Sequence, residues 1–119
     1  MSPTRPDALI VCSRTSFELQ FDAAIQAKLA TVVQLGEPLW TDELDSPRAR
    51  ARLATAEILL TSWGAPTLSP ARLAAAPRLR AVFHCAGSVR ALVSDEVWRR
   101  DILITSAADV NAIPVAEFT

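Results

Sequence analysis

The sequence predicts an α/β domain built on a mainly parallel sheet of about five strands, and three observations carry the prediction. Short β-type runs alternate with helical stretches from end to end of the 119 residues. The first run, Ala8-Leu9-Ile10-Val11-Cys12, is continuously apolar, as a strand covered on both faces should be. Ser46-Pro47 and Ser69-Pro70 then mark helix starts between later strands, each a serine cap followed by proline at the first helical position.

The elements follow in order. Residues 8–12 open the sheet. Thr15 and Glu18 have capping-box spacing, and Phe21, Ala24, Ile25, Lys28 and Leu29 recur at helical spacing, which predicts a helix beginning between Ser16 and Asp22. Val32-Val33-Gln34-Leu35 predicts a brief second strand closed by Gly36. The helix started by Ser46 carries Ala49, Leu53 and Ala56 inward, and its Arg48, Arg50 and Arg52 read as a solvated basic stripe. Residues 58–61 are the third strand, and the helix after Ser69 ends at Pro77, which cannot continue it. Residues 80–85 are the fourth strand. Ser94 is expected to cap a helix with acid at its start and Arg99-Arg100 at its end, charges that complement the helix dipole. Residues 102–105 complete the sheet.

Composition narrows the function. A chain of this size forms one core, burying roughly two-thirds of its unfolded surface. With 50% hydrophobic residues, 21% charged and a net charge of −1, it is neither disordered nor a basic nucleic-acid binder. No apolar stretch approaches the about 20 residues that span a bilayer, so no membrane partner is expected. The start, Met1-Ser2-Pro3-Thr4-Arg5-Pro6-Asp7, is polar and proline-rich, and the apolar run behind it is too short for a signal-peptide core, so a cytoplasmic address is expected. Cys12 and Cys85 sit inside apolar runs and read as two small buried hydrophobes rather than a disulfide.

In open α/β sheets ligands collect beyond the carboxyl ends of the strands, so the residues after each strand matter most. Three loops qualify: 62–66, 87–90 and 106–111. Gly87 lets the backbone turn sharply, and the amides of Ser88, Val89 and Arg90 there suit a small anion such as a carboxylate; a glycine that merely turns the chain is the alternative. Trp63 is placed to wall a pocket or to pack as satellite core. Asn111 is placed to donate to a substrate oxygen or to cap the following helix. Against these stand firm exclusions. With only Gly36, Gly64 and Gly87, neither Gly-x-Gly-x-x-Gly nor the nucleoside-triphosphate loop can be written. His84 is the only histidine and sits between Phe83 and Cys85 in a strand; with two scattered cysteines it makes no zinc site. No catalytic, cofactor-binding or metal-binding residue is assigned.

Two runs are specific enough to compare with a known family: Ala81-Val82-Phe83-His84-Cys85-Ala86-Gly87-Ser88-Val89-Arg90, and Trp98-Arg99-Arg100-Asp101-Ile102-Leu103-Ile104-Thr105-Ser106-Ala107-Ala108-Asp109-Val110-Asn111-Ala112-Ile113-Pro114-Val115-Ala116-Glu117-Phe118-Thr119. Together they resemble the N-terminal part of D-isomer-specific 2-hydroxyacid dehydrogenases, the family that includes formate dehydrogenase. The resemblance covers residues 57–119; residues 1–56 agree in strand-helix rhythm alone. It implies a flavodoxin-like, three-layer substrate domain over 1–111, with 112–119 starting the helix that links it to a nucleotide-binding domain. That second domain, expected beyond Thr119, would bind NAD or NADP and supply the groups used in hydride transfer. It is also where a homodimeric parent would associate. The chain ends before that helix completes two turns, too few to stand alone in water, so a fragment of a longer protein is expected.

The resemblance also implies that Ser88 and Val89, beside Gly87, offer amides to a substrate carboxylate, that Trp63 is an aromatic pocket wall, and that Asn111 contacts substrate. Where many members carry a second glycine and then an acid, this chain has Val89 and Arg90. The expected function is the substrate domain of an NAD(P)-dependent oxidoreductase interconverting a small 2-oxo acid and a D-2-hydroxy acid, inactive in isolation. The alternatives are a stand-alone flavodoxin-like module that binds a carboxylate, or one that binds another protein.

Overall fold

Strands β1 (Asp7–Val11), β2 (Gln34–Thr41), β3 (Ile58–Thr61), β4 (Ala81–His84) and β5 (Leu103–Ser106) form a single parallel sheet in the order β2-β1-β3-β4-β5. The computed structural model describes residues 5–86, 89, 90 and 92–106. From β1 the chain goes to one edge to make β2, crosses back to make β3 on the other side, and then steps outward. That order is the flavodoxin-like one, with its reversal between β1 and β3.

Residue parity builds the three layers, because successive strand side chains point to opposite faces. Leu9, Val11, Leu59 and Val82 face one way, into a core closed by Leu53 of α3 (Pro47–Thr55), Leu73 of α4 (Pro70–Ala74) and Val97 of α5 (Asp95–Arg99). Ala8, Ile10, Ile58, Leu60 and Ala81 face the other way, against Phe17 of α1 (Arg14–Gln20), Phe21, and Leu29 of α2 (Ala23–Leu29). Ala8, Leu9, Ile10 and Leu59 are each 0% exposed, so the continuous apolar runs do mark strands covered on both faces.

Several elements form as the sequence predicts. Ser46 and Ser69 accept the backbone N–H three residues on, and proline follows each at the first helical position. Others differ, each for a physical reason. The first helix starts earlier, because Ser13 rather than Thr15 caps it, and a second cap at Asp22 divides the stretch into α1 and α2. The second strand does not close at Gly36. It runs on to Thr41 through a register shift opposite Ala8 and Ile10, with a cis Glu37-Pro38 bond inside it. Ser94 holds the cap position of α5, but its hydroxyl donates to the Leu68 carbonyl at 2.6 Å instead of capping.

Arg52 corrects the solvated-stripe expectation. Arg48 and Arg50 are exposed, whereas Arg52 is buried. It stands three residues after Ala49 and so shares the inward face of α3 with Ala49, Leu53 and Ala56. Its guanidinium forks onto both carboxylate oxygens of Asp7 at 2.9 and 3.3 Å and donates to the carbonyls of Pro38 and Ala8 at 2.8 and 3.0 Å. No helix among the described residues is long and apolar enough to cross a membrane.

Candidate functional site at the carboxyl edge of the sheet

Strand register lines up Val11, Thr61, His84 and Ser106 as one row across β1, β3, β4 and β5. The last three are polar and buried. Within the row, Thr61 Oγ1 lies 2.8 Å from His84 Nδ1. The ladder then continues one residue past the strand ends: Cys12 N–H donates to the Thr41 carbonyl, Ser62 N–H to Val11, and Cys85 N–H to Thr61, at 3.2, 3.3 and 2.6 Å. The loops after β1, β3 and β4 therefore leave the sheet from fixed points.

Between β1 and β3, where the strand order reverses, the loops close on each other. Ser13 N–H donates to the Trp63 carbonyl at 2.9 Å. Gly64 has φ of +85°, and a Cβ there would lie 2.7 Å from Ser13 Cβ, so the glycine is required by both conformation and space. The Ser13 hydroxyl is engaged as well, accepting from Ser16 N–H at 3.2 Å and donating to the Ser16 hydroxyl at 3.1 Å. These contacts bear on a dinucleotide. A pyrophosphate at the first strand-to-helix turn needs free amides and room beside a glycine, and here the amide is spent and the space is filled. At this turn the described residues offer a pyrophosphate neither the Ser13 amide nor the space beside Gly64.

Next to this closed seam stand the residues expected to bind substrate. Trp63 follows β3 and is 60% exposed, so it is not satellite core; its indole stands in solvent at the rim. Val89 is half-buried, and its carbonyl accepts from Leu92 N–H and Val93 N–H at 3.0 and 3.1 Å, which folds the loop after β4 back toward α5. Among the described residues its own N–H donates to no backbone carbonyl. Gly87, Ser88 and Asn111 lie outside the described residues, as do residues 112–119.

No family model, curated protein or solved structure matches this chain. What it can do must be read from its own groups.

Most of those groups are neutral. After β1, β3 and β4 the described residues supply hydroxyls (Ser13, Ser62), thiols (Cys12, Cys85), a buried imidazole (His84) and the exposed guanidinium of Arg90, with no carboxylate ahead of α5. Neither cysteine is in a disulfide. Burial pushes the Cys12 thiol up to about 11, with the nearby Cys85 thiol adding to the shift and a hydrogen bond from Trp40 opposing it. Burial raises the Cys85 thiol too. Both thiols are therefore protonated at neutral pH and are poor nucleophiles. Among the described residues no three His, Cys, Asp or Glu side chains gather as a metal site would require.

Sequence reasoning missed one residue of this edge. Gln20, at the end of α1, donates from its amide nitrogen to the Cys85 carbonyl at 3.2 Å and accepts at its amide oxygen from the Ser62 hydroxyl. Its partners are 65 and 42 residues away in sequence, and no local signal points to them.

Proposed function

We propose that this chain is the substrate-binding half of a nicotinamide-dependent oxidoreductase that interconverts a small 2-oxo acid and a D-2-hydroxy acid. The observation that carries the reading is the carboxyl edge of the flavodoxin-like sheet. There, Trp63 stands exposed after β3, Val89 after β4 has an N–H spent on no backbone carbonyl of the described residues, and the exposed Arg90 follows it. A carboxylate ligand is favoured where backbone N–H groups converge and no fixed negative charge competes. The resemblance of residues 81–90 and 98–119 to 2-hydroxyacid dehydrogenases supports the same substrate class.

In this reading the chain binds and orients the acid, and hydride exchange needs a second domain. The nicotinamide, when bound, supplies the hydride. The closed seam of Ser13, Trp63 and Gly64 between β1 and β3 supports assigning NAD or NADP to that second domain. Among the described residues the one histidine, His84, is 8% exposed and bonded to Thr61, which supports leaving acid–base chemistry to the second domain. Catalysis requires cofactor and substrate in one water-excluding cleft, so the chain alone is expected to bind without turning over.

The test is a pair of titrations. Oxamate, a stable 2-oxo acid mimic, should perturb Trp63 fluorescence in a Trp40→Phe, Trp98→Phe background, while NADH should leave it unchanged. Val89→Pro, which removes one amide donor, should weaken oxamate by about tenfold, the cost of one charge-assisted hydrogen bond. NADH binding, or unchanged oxamate affinity in Val89→Pro, would overturn the arrangement.

A further inference from the structure

Gln20 joins α1 to the loops after β3 and β4, and the binding reading above makes no use of it. Its amide serves two partners of opposite kind, accepting from the Ser62 hydroxyl and donating to the Cys85 carbonyl. Among side chains of this length only glutamine can do both as a neutral group: glutamate accepts but does not donate when ionised, and methionine does neither to any useful extent.

Both partners are otherwise fully tied. Ser62 is 1% exposed, and its N–H donates to Val11. The peptide units on both sides of Cys85 are held, its N–H by the Thr61 carbonyl at 2.6 Å and its carbonyl by Gln20 at 3.2 Å. Cys85 is where β4 gives way to its loop, and Ser62 is where β3 gives way to the turn carrying Trp63. One side chain thus spans the departure points of the two loops that would face the ligand.

We propose that Gln20 is a positioning residue: it sets the separation and direction of the β3 and β4 loops, and through them the alignment of the Trp63 rim with the Val89 amide. The ligand part of this inference rests on the carboxylate-binding reading, whereas the loop part does not. Loss of the amide leaves a buried hydroxyl and a carbonyl without their partners, and the loops would then leave the sheet over a range of directions.

The experiment uses the 119-residue chain, with Gln20→Met, the milder Gln20→Glu, and Thr55→Val as a control that loosens the opposite end of the sheet. Two quantities are read for each: the oxamate dissociation constant by calorimetry, and ligand-free amide exchange along the chain by mass spectrometry. The expected result is at least tenfold weaker oxamate binding in both Gln20 variants, with exchange accelerated in the segments after β3 and β4. Thr55→Val should change neither. Unchanged affinity in the Gln20 variants overturns the inference even if exchange accelerates, and so does acceleration spread evenly over the chain. If the parent chain binds no oxamate, the carboxylate reading falls, and exchange decides alone: acceleration confined to the two loops supports the positioning role, and its absence overturns it.

Discussion

The two ends of the sheet are built from different chemistry. At the amino end the bonds are charged: Arg52 pairs with Asp7, Thr55 donates to the same carboxylate at 2.7 Å, Glu57 accepts from Asp7 N–H at 3.2 Å, and Arg80 approaches Glu57 at 3.5 Å. At the carboxyl ends of β1, β3 and β4 the bonds among Ser13, Ser16, Gln20, Thr61, Ser62, His84 and Cys85 are neutral. A concavity of about 420 Å³ opens at the amino end, lined in part by Asp7, Gly36, Glu37, Arg52, Thr55 and Arg78, and its most buried charges, Arg52 and Asp7, are already paired with each other. The difference separates holding from binding. The buried Arg52–Asp7 pair locks the amino end, whereas the described residues after β1, β3 and β4 include no carboxylate ahead of α5 to repel an incoming anion. A cavity is therefore a weaker guide to a ligand than the state of the groups that line it.

Arg52→Met is the largest break in that contrast. It leaves the Asp7 carboxylate without its cation and the carbonyls of Ala8 and Pro38 without a donor. Breaking one side of a buried ion pair costs about 3–5 kcal/mol; because the Asp7 side chain is 21% exposed, about 3 kcal/mol is expected. Urea unfolding measures the loss, and oxamate affinity of the folded fraction should not move. A loss under about 1 kcal/mol, the value of a surface pair, would mean the amino end is not locked.

Gly64→Ala comes second and strikes the other end. The residue sits at φ +85°, and the added Cβ would meet Ser13 Cβ at 2.7 Å. A strained residue of this kind costs about 1–3 kcal/mol. Unlike Arg52→Met, this change should also weaken oxamate, because Gly64 follows Trp63 in the rim. Equal effects of the two substitutions on oxamate affinity would erase the distinction between the ends.

Thr61→Val sharpens the contrast with a smaller change. Valine preserves the shape of threonine and removes only the hydroxyl that meets His84 Nδ1. Losing a buried partner of this kind costs about 1–3 kcal/mol, at the low end if the ring finds another bond. Thermal unfolding of this variant beside His84→Asn and the double variant gives the coupling between the two residues, expected at about 1 kcal/mol.

How far the sequence could be read follows the same division between local and distant partners. The strands were legible because burial on both faces writes itself as an unbroken apolar run, as in Ala8 to Cys12. The starts of α3 and α4 were legible because a serine cap and the proline after it are neighbours in sequence. The register shift that carries β2 beyond Gly36 was not, since it depends on pairing with β1. Arg52 was misread as part of a solvated stripe with Arg48 and Arg50: it lies inward, and the carboxylate that offsets its burial is 45 residues away. Gln20 carried no signal at all, because its partners Ser62 and Cys85, just after β3 and β4, are distant in sequence. At the rim, Trp63 and Val89 were picked out by following strand ends, and the structure places Trp63 in solvent rather than in core.

The smallest effect at neutral pH becomes visible in alkali. The Cys12 thiol is 0% exposed, and burial lifts it from 9.0 to about 11, so in the folded chain it keeps its proton where the unfolded chain would lose it. Ionisation then favours the unfolded state. The stability this thiol contributes is fully present below pH 9 and is lost as the pH rises toward 11. Cys85 shifts in the same direction and adds to the slope. Urea midpoints measured from pH 7 to 11 should fall in the parent chain above pH 9, fall less in Cys12→Ala, and fall least when Cys85→Ala is added. Cys12→Ala itself lowers stability at pH 7 by about 1 kcal/mol through the lost packing volume, so the slope with pH, not the offset, is the measure. Parallel curves for the parent and Cys12→Ala would mean that the carboxyl end admits water to this thiol, contrary to its burial beneath Trp40 and α1. A steeper fall in the parent would show that the neutral end of the sheet is kept neutral by exclusion of solvent.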